Sequence, residues 1–551
     1  ILWAVFLSVS NAQTPVSAIP FGIEHELPRA GLPVLSRTLT HNQEMEMQAQ
    51  TGMHKPGTAM FAGFDLEANV HPVIFSQRQQ FDGRTNIWRM VVTSAGAMGL
   101  GLVFDGFALS EGQTMFVYTP DHKTVHGPFH KAHNTSSGFF TTPLSAGDSL
   151  IIEIHATAMG SVRNLETLRL KSLIHLGDGD YSQLGATPKN IGASGLCNVN
   201  INCAEGQNWQ RQKRGVARIL LLAGGRRFFC TGTLINNTRN DGAMLFLTAH
   251  HCGAGATPLE LQQWIFDFNF ERPGCIDQGI NPDQTLTGAE LLASAMISNG
   301  SDFQLLRIAQ TPPREWNLFW NGWNRSDNPS NSGVVIHHPQ GDVKKISTYW
   351  ETTTPATPNF GGTLMAPNSA WRVIWAPTLN GHGVTEAGSS GSPLFNENGL
   401  VIGTLAGGNA TCTQLTLPDF FGRFSYHWNK NGTHHTISLA PHLDPLGTGA
   451  VTLGGFDPNH PSISDPEALP ASIASLLVSH NKAVVRFNQN LNQVNVSLFS
   501  VQGSLLSQQI FTNPSAGQME FVATEGLANG VYLIRVSTPE QSIILKLLLT
   551  N

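Results

Sequence analysis

The stretch Thr385-Glu386-Ala387-Gly388-Ser389-Ser390-Gly391-Ser392-Pro393-Leu394-Phe395, followed by Gly399-Leu400-Val401-Ile402-Gly403-Thr404-Leu405, decides how the rest of the chain is read. Glycines flank a pair of serines, and a run rich in β-formers comes directly after. Such a turn can hold one hydroxyl in the open while neighbouring backbone N–H groups converge on one point. A serine nucleophile and its oxyanion hole need that combination. The same letters also spell an ordinary Gly/Ser loop, so partners elsewhere in the chain carry the decision.

A nucleophilic Ser390 needs a base within hydrogen-bond reach and a carboxylate to orient that base. Phe246-Leu247-Thr248-Ala249-His250-His251-Cys252 ends an apolar strand with histidine beside a cysteine that can anchor it. Ser301-Asp302-Phe303-Gln304-Leu305-Leu306-Arg307-Ile308 opens another apolar strand with a carboxylate. Singly, His251 reads as a packed histidine and Asp302 as a strand cap. Jointly, the chain order His, Asp, Ser is that of chymotrypsin-like enzymes.

Composition narrows the setting. A chain of 551 residues is too long for one core and suggests roughly three or four domains. The net charge is −6, so no basic excess points to nucleic acid. The six cysteines, Cys197, Cys203, Cys230, Cys252, Cys275 and Cys412, all lie in mid-chain and contain no Cys-x-x-Cys pair. An even count without metal spacing suits three disulfides and an oxidising compartment, with no metal or cofactor. Ile1-Leu2-Trp3-Ala4-Val5-Phe6-Leu7, followed by Ser10-Asn11-Ala12-Gln13, reads as the remnant of a signal peptide over 1–12. No segment reaches about 18 uninterrupted apolar residues, so a transmembrane span is not expected.

Short β-like runs fill residues 13–189: Gly101–Asp105, Thr114–Tyr118 and Ser149–Ile154, separated by turn residues. They suggest a β-sandwich. His126, His130 and His133 cannot share a helical face across Gly127-Pro128 and read as a surface loop, not a metal site. From 190 to 457 short strands alternate with Gly and Pro turns, and helical patterns are brief, as near Gly288 to Ala295. Prolines 458, 461, 466 and 470 mark a linker over 458–478. Alternation returns in the tail 479–551, where Val494, Val496 and Leu498 enclose Asn495 and Ser497, and suggests a small β-sandwich.

Several stretches make the resemblance specific. Cys230-Thr231-Gly232-Thr233-Leu234-Ile235-Asn236-Asn237, Thr248–Cys252, Ser301–Leu306 and Thr385–Pro393 together resemble the lysyl endopeptidase family. So do Cys197-Asn198-Val199 with Cys203, Asn317–Trp320, Ile336-His337-His338-Pro339, Gly422-Arg423 and Leu443-Asp444-Pro445. The family comprises secreted bacterial serine proteases of the chymotrypsin fold, so the resemblance implies two six-stranded β-barrels with the site in the cleft between them. It implies His251 as general base, with His250 a bystander, Asp302 as its orienter and Ser390 as nucleophile. The backbone N–H groups of Gly388 and Ser390 would form the oxyanion hole. The implied disulfides are Cys197–Cys412, Cys203–Cys275 and Cys230–Cys252.

Asp419, in Asp419-Phe420-Phe421-Gly422-Arg423, matches the family's pocket aspartate, and a carboxylate there favours a cationic substrate side chain. The expected partners are protein or peptide substrates with Lys, and possibly Arg, before the scissile bond. One departure stands out: the family's pocket histidine is Ala406 here, and Phe360 is the nearest candidate for its aromatic partner. Ser389 occupies the position of the zymogen aspartate of chymotrypsin-type enzymes, so an N-terminal ion-pair switch is not expected. Latency is assigned to a propeptide over 13–189, removed by self-cleavage after Lys189. The tail resembles the sorting domain of the type IX secretion system through Val496–Gly503 and Gly530–Val536. That implies secretion machinery as a partner and export through the periplasm to the cell surface or medium. Two other readings stay open: a catalytically silent homologue acting as an adhesin, and a trypsin-like Lys/Arg protease.

Overall fold

The computed structural model describes residues 19–50, 59–81, 85–157, 162–177, 193–276, 278–281, 284–459, 474–479, 482–487, 490–500, 504–515, 518–522, 524, 526–539 and 542–549. The chain divides into two compact units, residues 1–48 with 64–186, and residues 49–63 with 187–551. The signal-peptide segment 1–12, Lys189 and most of the linker 458–478 lie outside the described residues.

In the first unit, Thr85–Ser94 pairs with Ser149–Ala156, which pairs in turn with Gln113–Tyr118. A second set joins Gly99–Asp105 to Arg169–Leu176. Gln113–Tyr118 is buried along its whole length, so both faces are covered and its apolar run is nearly continuous. Of the three histidines read as a surface loop, His126 is instead buried in the strand Val125–Phe129, with Nε2 2.9 Å from Ser145 Oγ. Its β-branched neighbour and pairing partner Val117 draw it into the sheet. His130 and His133 sit on an exposed 3₁₀ turn, where they cap one another.

In the second unit the expected β-barrels have a legible cause. Val216–Ala223 pairs with Arg226–Leu234, then Leu245–Thr248, then Phe303–Ile308. Thr285–Thr287 and Ala289–Ala295 form one nearly continuous stretch bent at Gly288, whose φ of +81° lies in the left-handed region. Its first half pairs with Ile265–Asp267 and its second with Phe303–Ile308, which closes a six-stranded barrel. Ala289–Ala295 is therefore a strand and not the short helix expected from its alanines and leucines. Pairing with Phe303–Ile308 overrides helix propensity.

The second barrel uses the same device. Lys345–Tyr349 pairs with Gly333–His337, and the continuation Thr354–Ala356 pairs with Ala370–Val373. Pro393–Asn396, Val401–Gly408 and Asp419–Arg423 complete it.

Period-two alternation sorts the side chains. Phe246, Leu306 and Ile308 enter the interior of the first barrel, and Val335, Leu394, Ile402 and Phe421 that of the second. Their neighbours Leu247, Phe303, Leu305, Val334, Ile336 and Phe395 point the other way into a shared core between the barrels. Residues on the strand ends at that interface are thereby fixed from both sides. The fold is mainly β, with a chymotrypsin-like pair of barrels.

The tail has its own core. Val494, Val496 and Leu498 are buried as their alternation predicts, together with Val485, Phe487, Ile534, Val536 and Leu547. Gln493–Ser500 pairs with Leu505–Thr512 and Gly530–Ser537, while Ala474–Ser479 pairs with Lys482–Phe487.

Candidate active site

Leu245–Thr248 ends against a single helical turn, His250–Gly253, which Cys252 ties to Cys230 in the adjoining strand. His251 Nδ1 lies 2.7 Å from Asp302 Oδ2, and the His251 backbone N–H donates to Asp302 Oδ1 at 3.0 Å. One carboxylate thus fixes both the ring and the turn that carries it. Because Asp302 can only accept, Nδ1 holds the proton and Nε2 presents its lone pair. His251 Nε2 is buried and, among the described residues, has no hydrogen-bond partner. His250 turns the other way, with Nδ1 2.6 Å from Ser294 Oγ, and burial holds its pKa below the ordinary value. Asp302 is fully buried and adopts φ +60°, a left-handed conformation that Asp tolerates better than most residues.

The serine turn lies against this histidine turn. A Cβ on Gly391 would run into Thr248 Oγ1 and would lie 2.6 Å from Ala249 N and Thr231 O, so only glycine allows the approach. The Ser390 carbonyl accepts from Thr231 N–H at 2.8 Å, and Cys252 Sγ is 3.6 Å from the same oxygen. Gly388 has φ +87°, and its carbonyl accepts from Thr231 Oγ1 at 2.9 Å. Its N–H meets no acceptor among the described residues. A second loop braces the turn: Gln340 N–H donates to the Ala387 carbonyl at 2.6 Å.

The chain just before Cys197 is tied to the same region. Ser194 donates its N–H and hydroxyl to the buried Asp342 carboxylate, at 3.2 and 2.6 Å. Gly195 N–H and Asn198 Nδ2 donate to Glu386 Oε2, at 3.0 and 2.8 Å. Burial raises the Glu386 pKa despite these donors.

Asp419 begins the strand Asp419–Arg423 and is 1% exposed. Its Oδ2 accepts from Trp375 Nε1 at 2.6 Å and Thr385 Oγ1 at 2.7 Å, while Oδ1 accepts from Ala410 N–H at 3.1 Å. Gly408 opposite leaves room for the carboxylate, because a Cβ there would overlap Asp419 Oδ1. No cation is among these partners, and burial pushes the carboxyl up to about 6. Trp375 and Thr385 did not stand out in the sequence. The signals were a tryptophan just beyond the strand Ala370–Val373 and a threonine at the head of the serine turn. Ala406 and Phe360 fall in one small buried cluster with Met365 and Ala370.

The three sulfur bridges are Cys197–Cys412, Cys203–Cys275 and Cys230–Cys252. Among the described residues, the one cluster with metal-like spacing is Cys230, His251 and Cys252. Both of its thiols are spent in a disulfide, so it is not a metal centre.

Residues 191–422 match the family model of the lysyl endopeptidase C-terminal domain, and residues 479–550 that of a secretion system C-terminal sorting domain. A lysyl endopeptidase of Pseudomonas aeruginosa is 27% identical over 403 residues, covering 67% of this chain and 80% of that protein. Similar solved structures include a protease Anisep from Arthrobacter nicotinovorans, with a TM-score of 0.28 and 15% identity over 38% of this chain and 90% of that one. A thermostable serine protease AL20 from an extremophilic microorganism gives a TM-score of 0.29 and 13% identity over 44% and 100%.

Proposed function

We propose that this chain, an exported serine endopeptidase similar to the lysyl endopeptidases, cuts peptide bonds after basic residues, with Lys favoured. The observation that carries the reading is the His251–Asp302 pair, 2.7 Å apart, with an unpartnered Nε2 beside the Ser390 turn. Ser390 Oγ attacks the scissile carbonyl and its proton passes to His251 Nε2, while the buried Asp302 carboxylate stabilises the imidazolium. The oxyanion accepts from the N–H groups of Gly388 and Ser390, each worth about 3–4 kcal/mol in the transition state. The tetrahedral species collapses to an acyl-enzyme as His251 protonates the departing amine. Water, deprotonated by His251, then releases the acid and restores Ser390.

Asp419 supplies the preference. A buried carboxylate held by neutral donors alone gains from a substrate ammonium. Ala406 in place of the family's histidine leaves a wider apolar wall beside Phe360, which favours admission of Arg alongside Lys. Residues 13–189 act as a propeptide released by cleavage after Lys189, residues 190–457 form the protease domain, and 479–551 engage secretion machinery after passage through the periplasm.

A fluorophosphonate probe should label wild type but not Ser390→Ala. Matched peptides should be cut in the order Lys, Arg, neutral. An unlabelled wild type would favour a silent homologue, and equal turnover of Lys and Arg a trypsin-like enzyme.

A further inference from the structure

We infer that His337 is a positioning residue that locks the nucleophile's turn to the floor of the specificity pocket through a one-directional hydrogen-bond relay. The inference rests on the proposed roles of Ser390 and Asp419. His337 is fully buried at the end of the strand Gly333–His337. Its Nδ1 is 2.8 Å from Ser389 Oγ and its Nε2 is 3.2 Å from Ser347 Oγ.

The direction of each bond follows from the two ends. Ser347 Oγ is 3.1 Å from the Val384 carbonyl, which can only accept, so the Ser347 proton is committed there. Ser347 Oγ must then accept from His337 Nε2–H. A neutral ring protonated at Nε2 leaves a lone pair on Nδ1, which accepts from Ser389 Oγ–H. Ser389 Oγ in turn accepts from the Glu386 N–H at 3.2 Å. The relay leaves the chain at Glu386 and returns to it at Val384.

Thr385, the residue enclosed between those ends, donates both its N–H and its hydroxyl to Asp419 Oδ2, at 3.3 and 2.7 Å. Ser389, the relay's other member, directly precedes Ser390. One imidazole therefore sets the spacing between the nucleophile and the residue that holds the pocket carboxylate. Burial, with Lys345 nearby, holds the ring's pKa down at about 3, so the neutral form persists at working pH. Ser389 stands where trypsin-like enzymes place an aspartate for a new N-terminal ammonium. In this chain a neutral network takes over that bracing task.

The test compares two substitutions at His337 in the full chain. His337→Asn places an amide oxygen where Nδ1 accepts from Ser389, while His337→Leu fills the same apolar space with no acceptor. Packing alone would favour Leu over Asn at a fully buried site. The relay predicts the reverse: fluorophosphonate acylation slowed at least tenfold in Leu and substantially less in Asn, relative to wild type. Ser389→Ala and Ser347→Ala should each slow acylation, and the double variant should lose less than the product of the single losses. Leu equal to or faster than Asn, or strictly multiplicative losses, would overturn the relay. Should His337→Leu fail to fold, the serine pair decides alone. A wild type that takes up no probe would instead sink the serine-protease reading of the site.

Discussion

Two residues of the proposed site carry an energetic cost. Asp302 accepts from His251 while holding a left-handed backbone, at φ +60°. Asn also tolerates that conformation, whereas Ala does not share the local hydrogen bonding that eases it. Asp302→Asn should therefore melt near wild type yet lose about 10⁴-fold in kcat through the wrong imidazole tautomer. Asp302→Ala should add roughly 1 kcal/mol of destabilisation; thermal unfolding beside ester hydrolysis separates the two effects. Asp419 poses the opposite problem. Burial raises its carboxyl from 3.8 to about 6, so the folded chain binds this proton more tightly than the unfolded chain does. The stability so contributed is complete below about pH 4 and is lost as pH rises through about 6, a loss of about 3 kcal/mol. A bound alkylammonium replaces the missing partner only once the group is ionised. A lysine-like amine inhibitor should consequently raise Tm more at pH 8 than at pH 5, and its neutral alcohol analogue should show no such difference. Equal shifts would place the cation elsewhere.

The elements show how local pattern and long-range pairing share control. Val494–Leu498 was legible because every second residue enters the tail's core, so period two shows in the letters. Leu245–Thr248 and Phe303–Ile308 instead meet a core on both faces and read as nearly continuous apolar runs. Ala289–Ala295 misled because its residues favour a helix, and the partner that makes it a strand is set by barrel closure. The candidate triad could be read from flanking motifs. The Thr385 and Trp375 contacts to Asp419 could not, since they join segments 34 and 44 residues apart through donors common in any sequence. The turn bearing His251 gives an element-scale prediction. Its bridge to Cys230 closes a separation of 22 residues, and removing both cysteines should cost about 3 kcal/mol in denaturant unfolding. If His251 is the proposed base, activity should fall further than stability requires, because the same turn carries His251.

At the scale of the whole molecule, the tail's core, among the described residues, is built from Ala474 and later residues. Truncation after Asn459 should leave peptide hydrolysis by the processed enzyme within about twofold of the full chain while abolishing delivery outside the cell; a large loss of turnover would contradict that independence. No helix among the described residues is long and apolar enough to cross a membrane. The three bridges are strictly nested, with 230–252 inside 203–275 inside 197–412. Nesting sets the chain's oxidative history. As thiols emerge during export in the order 197, 203, 230, 252, 275, 412, joining each newcomer to its waiting predecessor yields Cys197–Cys203, Cys230–Cys252 and Cys275–Cys412. Of these, only the middle bridge is native. The correct set demands either that the barrels form before oxidation or that wrong pairs are exchanged afterwards. Yield of this protease is therefore tied to a disulfide isomerase wherever oxidation outruns folding, and least so when the thiols are kept reduced until the chain is complete.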